Sequence, residues 1–274
     1  MLSHELSSPH KQTVRPRSLA VLHGASGAFL SRRLIERGIR PMTKTLSVGQ
    51  DLYRQGERHG HVYVLVDGWA FRHQVLPDGR RQILDFLLPG AVLGLSDRET
   101  STHGAETLTR CTVAVLPRHA VLEMLRADPH AALQLFEQMV ESETRAFDHL
   151  TSLGRRSARE RIAALMVELC HRVHALGLEK PTDTVALPLK QAHIADALGL
   201  TNEHVCRTLK TMRNEGIMSL SEGQLHVRDL VRLAQEAGMD SADDAHDHVA
   251  TRPGAANARR IERTDAVPAM TCAA

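Results

Sequence analysis

At Asp128 the apolar pattern of the chain changes period, and that change constrains most of what it can fold into. Upstream, β-prone runs are cut short by glycine. Leu52-Tyr53 is followed by Gln55-Gly56-Glu57, and Val62-Tyr63-Val64-Leu65-Val66 runs into Asp67-Gly68. Trp69 to Leu76 ends at Pro77-Asp78-Gly79, Ile83 to Leu88 at Pro89-Gly90, and Cys111 to Leu116 closes the series. Asp-Gly and Pro-Gly turns every ~8–12 residues between such runs predict a small antiparallel sandwich or roll. No amphipathic helix interrupts the series, which argues against a doubly wound parallel sheet.

Downstream, Leu133, Phe136, Val140, Glu143, Phe147, Leu150 and Gly154 alternate in steps of 3 and 4. That is a heptad seam on one long helix, with a single charged residue in it. A second stripe, Leu135, Met139, Ala146 and Leu153, supplies a face to pack on the roll and leaves the seam to a partner helix. Phe136, Val140, Glu143, Phe147 and Leu150 are therefore the expected interface of a parallel homodimer. The alternative is an ordinary helix packed on the roll. Ser157, with Glu160 three residues later, forms a capping box that opens the next helix, and Gly177 and Pro181 end it. Gly154-Arg155-Arg156 reads as a hinge.

Residues 191–213, QAHIADALGLTNEHVCRTLKTMR, predict a helix-turn-helix. Ile194, Ala195, Leu198, Leu200, Val205 and Leu209 are its apolar set. Ala195 is small where the helices cross, Gly199 sits in the turn, and Thr201 caps the second helix. Gly216 to Leu220 and Gln224 to Val227, around Ser221-Glu222-Gly223, read as a hairpin that completes a winged helix. The second helix would enter the major groove with its N-terminal residues on base edges. Arginine reads guanine O6 and N7 in a bidentate way, and a glutamate accepts from cytosine N4. Glu203 and Arg207, at i and i+4, can also pair with each other on a solvated surface. The candidate DNA-binding residues are Gln191, Thr201, Asn202, Glu203, His204, Cys206, Arg207, Lys210 and Arg213. Arg155, Arg156 and Lys190 join Lys210 and Arg213 on phosphates. A helical hairpin with an appended β-hairpin that binds another protein is the alternative.

Composition narrows the classes. The 274 residues are 42% hydrophobic and 24% charged, enough for one large domain or two ordinary ones at ~100–200 residues each. No run of ~18 apolar residues exists, so no membrane span is expected, and Met1 to Arg17 lacks the apolar stretch of a secretory signal. Cys111, Cys170, Cys206 and Cys272 form no CxxC pair, which favours a reducing compartment and a cytoplasmic location. A net charge of +2 excludes a globally cationic coat but not a local basic face. Aromatics at 3% are too few for single-strand or RNA stacking platforms. No GxGxxG, GxxxxGK[ST], HExxH or GxSxG occurs, and Gly24-Ala25-Ser26-Gly27 lacks the context of a nucleophile elbow, so no enzyme is expected. His171 and His174, or His246 and His248, lack the further ligands of a closed zinc site, and no metal is expected. A haem sensor in the roll would need one axial histidine, for which His59, His61, His73 and His103 are candidates.

The glycine-punctuated roll, the heptad helix and a winged helix containing Glu203-x-x-x-Arg207 together resemble the Crp/Fnr superfamily of bacterial transcription regulators. The resemblance spans about Leu46 to Ala237. Its most specific stretches are Asp51 to Glu57, Leu87-Leu88-Pro89-Gly90 and Gln191 to Met212. It implies an α+β chain with an N-terminal antiparallel β-roll of the cyclic-nucleotide-binding, jelly-roll kind at 41–127. A dimerisation helix at 128–154 and a winged helix-turn-helix at 155–238 follow. Tails at 1–40, partly helical or disordered, and at 239–274, disordered, flank them. It also implies double-stranded DNA, a second copy of the chain and RNA polymerase as partners.

In that family the glutamate and arginine matching Glu203 and Arg207 read a TTG-like half-site. The serine between them in Fnr-type members is Cys206 here. Oxidation of Cys206 would add bulk and then charge where the helix docks, which makes it a candidate redox switch. No cysteine precedes Cys111, against an Fnr-type iron–sulfur cluster. Cyclic-AMP-binding members hold the ribose with Gly-Glu-Leu and the phosphate with Arg-Ser. Here Gly90 is followed by Ala91-Val92-Leu93-Gly94-Leu95, and Arg98 by Glu99, so cyclic AMP is not expected. The pattern is closer to the FixK-like branch, some of whose members act without a small ligand. The expected function is thus a homodimeric regulator without a cofactor, reading a TTG/CAA-like palindrome through a recognition helix at 201–213. The alternative is a haem- or small-ligand-binding sensor in the roll that controls DNA binding allosterically.

Overall fold

The structure is a computed structural model that describes residues 28–58, 60–95, 100–177 and 184–238. Eight strands build the roll: Met42–Leu46 (β1), Asp51–Tyr53 (β2), His61–Asp67 (β3), Ala70–Val75 (β4), Arg81–Leu87 (β5), Val92–Leu93 (β6), Gly104–Thr107 (β7) and Cys111–Pro117 (β8). They form two four-stranded sheets in the orders β1-β8-β3-β6 and β2-β7-β4-β5, with every pairing antiparallel. Leu65, Leu87, Leu93, Cys111 and Val113 fill the space between them. The turn after β3 requires its glycine twice over. Gly68 has φ 89°, and a Cβ there would run into the Arg110 carbonyl and lie 2.9 Å from Cys111 Sγ.

Helix Ala28–Glu36 (α1) lies in the segment 1–40, read from the sequence as partly helical or disordered, and it packs on the roll. Leu30 and Leu34, one turn apart, are fully buried in a cluster with Val62, Val64, Leu116 and Val121. An unforeseen helix, Arg118–Ala127 (α2), runs directly out of β8 and buries Ala120, Val121 and Met124.

The long helix Pro129–Arg155 (α3) starts where its period does. Asp128 accepts at 3.1 Å from the Ala131 amide, and proline occupies the first turn, where its missing N–H is no loss. Its roll-facing side differs from the expected second stripe. Met139 is 59% exposed and Ala146 is exposed, whereas Ala131, Leu135 and Ser152 are buried. Between them the contacts are polar: Gln138 Nε2 donates to the Gly90 carbonyl at 3.1 Å, and Arg145 faces Asp85 at 3.9 Å. Gly154 is helical, so the break between α3 and the next helix falls at Arg156 and Ser157, after the expected hinge glycine.

The remainder comprises Ala158–Ala175 (α4), Thr184–Ala186 (β9), Gln191–Leu198 (α5), Asn202–Asn214 (α6), Met218–Ser221 (β10), Gln224–Val227 (β11) and Leu230–Glu236 (α7). The Ser157–Glu160 capping box opens α4, with the Ser157 amide donating to Glu160 Oε2 at 2.6 Å. The wing has three strands in the order β10-β11-β9, one more than the expected hairpin. The winged helix and the roll share one apolar core. Trp69, Phe71, Ile83, Phe86, Leu88 and Leu108 of the roll form a single buried cluster with residues of the winged helix such as Ile162, Met166 and Ile194. No described helix is long and apolar enough to cross a membrane.

Candidate nucleic-acid interface

Helices α5 and α6 meet at Gly199, whose φ of 62° and ψ of 36° give the left-handed turn expected there. Thr201 Oγ1 then accepts from the His204 amide at 3.2 Å and caps α6. Ile194, Ala195, Leu198, Val205, Leu209 and Met212 are buried, so they hold α6 against the rest of the domain, while Leu200 is partly buried. That packing decides which side chains are left outside. Thr201, Asn202, Glu203, His204, Cys206, Arg207, Lys210 and Arg213 are all exposed, as are Gln191 and Lys190 at the start of α5 and Arg155 at the end of α3. Asn202, Cys206, Lys210 and Arg213, in steps of 4 and 3, form one helical face, with Glu203 and Arg207 beside it. The structure therefore presents every predicted residue of the helix-turn-helix to solvent on α6 and the start of α5.

The face is cationic. Arg207, Lys210 and Arg213 stand against Glu203 alone on α6, and the N-terminal amides of the helix add positive potential. Glu203 Oε1 lies 3.5 Å from Arg207 Nη2, with the side chains 85% and 69% exposed. Such an ion pair contributes little, so both groups can turn to other partners. Behind the face, the carboxylates are engaged. Arg159 donates to Glu236 at 2.7 Å and to Glu215 at 3.1 Å, and Arg232 donates to Glu215 at 3.0 Å. These bonds hold the Glu215 carboxyl below its ordinary range, Arg159's hydrogen bond contributing most.

On its other side, α5 lies against the roll. The His193 ring is 5.8 Å from that of Phe71, and its Nδ1 accepts from the Lys190 amide at 3.1 Å. Burial, then the charges of Arg81 and Lys190, hold His193 below its ordinary pKa of 6.5. Burial does the same for His73. Below about pH 6.5 the unfolded chain takes up protons that these two folded histidines resist, so stability falls as pH drops from there toward their lowered values. Replacing His193 with Gln is expected to shrink that fall. Melting temperatures compared at pH 7.5 and 5 check this, and an unchanged difference would refute it.

Residues 43–128 match the cyclic nucleotide-binding domain family and residues 160–236 the Crp-like helix-turn-helix domain family. The transcriptional activator protein FnrL of Cereibacter sphaeroides is 34% identical over 202 residues, which cover 72% of this chain and 81% of FnrL. The chain belongs to the Crp/Fnr superfamily. Within this superfamily it lies on the FixK-like branch and is a DNA-binding transcription regulator. The nitrogen fixation regulation protein FixK of Bradyrhizobium diazoefficiens is 32% identical over 187 residues, 68% of this chain and 78% of FixK. The solved structure of FixK2 from Bradyrhizobium japonicum superposes with a TM-score of 0.66 at 29% identity, covering 74% of this chain and 99% of that one.

The matched roll of this Crp/Fnr regulator carries one half-buried arginine on its fourth strand. Arg72, on the Ala70 face of β4, donates from Nη2 to the Val92 carbonyl at 3.0 Å and bonds the Tyr53 side chain. Tyr53 meets His103 Nε2 at 3.2 Å and stacks on Tyr63 with ring centroids 6.1 Å apart. Arg98 and Glu99 lie outside the described residues.

Of the haem candidates, His61 is exposed at the start of β3. His73 packs 5.6 Å from the Phe71 ring, and His103 is bonded to Tyr53. His59 lies outside the described residues, as do His246, His248, Cys272 and Gly24 to Gly27. Among the described residues no three His, Cys, Asp or Glu side chains gather in a metal-holding group. Cys206 is exposed on α6, while Cys111 and Cys170 are buried. Burial pushes the Cys111 thiol up to about 11.

Proposed function

We propose that this regulator acts in the cytoplasm as a parallel homodimer on a TTG/CAA-like palindrome, one α6 to each half-site, without a small ligand or cofactor. The observation that carries this reading is the seam of α3. Phe136, Val140, Phe147 and Leu150 are 61%, 42%, 60% and 67% exposed, a contiguous apolar stripe at heptad spacing that water disfavours and a second copy of the same helix would cover. Glu143 lies in the same stripe, where one charged residue can fix the register. Two copies so joined hold two cationic α6 faces for successive major grooves. Relatives named as transcriptional activators favour activation, with RNA polymerase as a further partner.

The test is fluorescence anisotropy on a duplex whose TTG and CAA half-sites lie about 10–10.5 base pairs apart, against a scrambled duplex, with reductant and no ligand. Preference for the palindrome, falling steeply with salt as phosphate contacts demand, is the expected result. Equal binding to both would refute the reading. In the same assay Arg207→Ala is expected to lose ~1–3 kcal/mol of discrimination at one guanine per half-site. Equal losses on palindromic and scrambled DNA would show that Arg207 does not read a base. Peroxide treatment, with Cys206→Ser as control, tests the redox role of Cys206, since a sulfinate on this face would repel the phosphates. Unchanged affinity after oxidation would dismiss it.

A further inference from the structure

The β4–β5 hairpin reaches out of the roll and grips the winged helix at three points. Arg81 pairs with Asp196 of α5 at 2.8 Å, while also holding Glu106 of β7 at 3.2 Å and lying 5.1 Å over the Phe71 ring. Gln82 Nε2 donates to the Ala197 carbonyl of α5 at 2.7 Å. From the other side, Arg172 of α4 donates to the Phe86 carbonyl at 2.6 Å and to Asp85 Oδ1 at 3.1 Å. Its side chain is only 16% exposed and that of Asp85 only 18%. None of these groups belongs to α6, and the reading face stays exposed throughout.

We propose that Arg81, Gln82 and Arg172 are positioning residues for DNA binding. They form a built-in latch that sets the winged helix on the roll, so that affinity for an operator depends on a hairpin that does not touch DNA. Without these polar ties the winged helix would be held on the roll by the non-directional apolar core alone and would sample more orientations. The apparent dissociation constant is the intrinsic one divided by the fraction of molecules in the competent pose. The latch raises that fraction with the protein's own side chains. Because Arg81, Gln82 and Arg172 engage the backs of α5 and α4, the latched pose is compatible with docking.

This inference rests on the palindrome reading, and the test separates the two. Arg81→Asp and Asp196→Arg each set like charges across the interface, and the double variant exchanges them. Each single variant is expected to bind the palindrome about tenfold more weakly, as when the competent fraction falls to about one tenth. Each should also be cut faster by trypsin at Arg155 and Arg156. The double variant should recover both properties in part, because the exchange restores the 81–196 pair but leaves Asp at 81 facing Glu106. Gln82→Ala, which removes one amide bond and no charge, should change both in the same direction to a smaller degree, and it stands in if a charge reversal unfolds the chain. Unchanged cleavage and affinity, tighter binding on unlatching, or no recovery in the double variant would each overturn the latch. If the wild type shows no preference for the palindrome, that reading fails and trypsin decides the latch alone. Protection lost in the single variants and regained in the double sustains it, and constant protection overturns it.

Discussion

Phe147→Glu is expected to convert the protein from a dimer to a monomer and to weaken palindrome binding by a factor of ~10²–10⁴. Phe147 is 60% exposed on α3 and lies one helical turn from Glu143 and Leu150. In a parallel pair it would meet its own counterpart, so each substitution acts twice. Covering a phenylalanine contributes about 1.5–3 kcal/mol, and the variant loses that from both copies. It also faces two carboxylates with each other in an apolar seam, where an uncompensated charge costs several kcal/mol. DNA affinity follows because a second half-site contact made within one complex gains ~10²–10⁴ over separate binding. Light scattering coupled to size exclusion, with anisotropy on the full palindrome and on a single half-site, measures both effects. The half-site affinity should stay near that of the wild type. A monomer that still binds the full palindrome as tightly as the wild type would refute the dimer argument.

The seam was legible in the sequence because a solvent-exposed apolar stripe has a period. The opposite face of α3 was not, because Gln138 and Arg145 make polar contacts there, the buried residue at 152 is a serine, and no apolar rhythm is left. The stripe of Leu135, Met139, Ala146 and Leu153 therefore divided, with Met139 joining the exposed side. The long strands announced themselves through the turns at Gly68, Gly79 and Gly90, each of which has positive φ. The two-residue β6, the edge strand β1 and Gly104–Thr107 of β7 carry too few apolar residues to form a pattern. The helix-turn-helix was readable in full, since cap, turn glycine and apolar set all lie within 23 consecutive residues of the chain. The contacts of the latch were not. Arg81 and Asp196 are 115 positions apart, and nothing local to either says that β5 will lie against α5.

That long-range packing makes Phe71→Ala the most damaging single substitution expected in the core. Phe71 is 1% exposed and sits in the cluster that joins the roll to the winged helix. Removing its ring from a packed interior costs about 3–5 kcal/mol, a large share of the ~5–15 kcal/mol that holds a domain folded. The melting temperature should fall by about 6–20 °C at 2–4 °C per kcal/mol. The protein carries its own probe of the event. Trp69, the single tryptophan of the chain, is 8% exposed in the same cluster. Its fluorescence therefore follows the seam, while far-UV dichroism follows mainly the helices. If the seam couples the two halves, both signals will unfold at one midpoint in the wild type and move together in the variant. A variant in which the Trp69 transition moves while the helical one stays would show that roll and winged helix unfold independently. Neither the shared apolar core nor the hairpin's polar ties would then couple the two halves in unfolding.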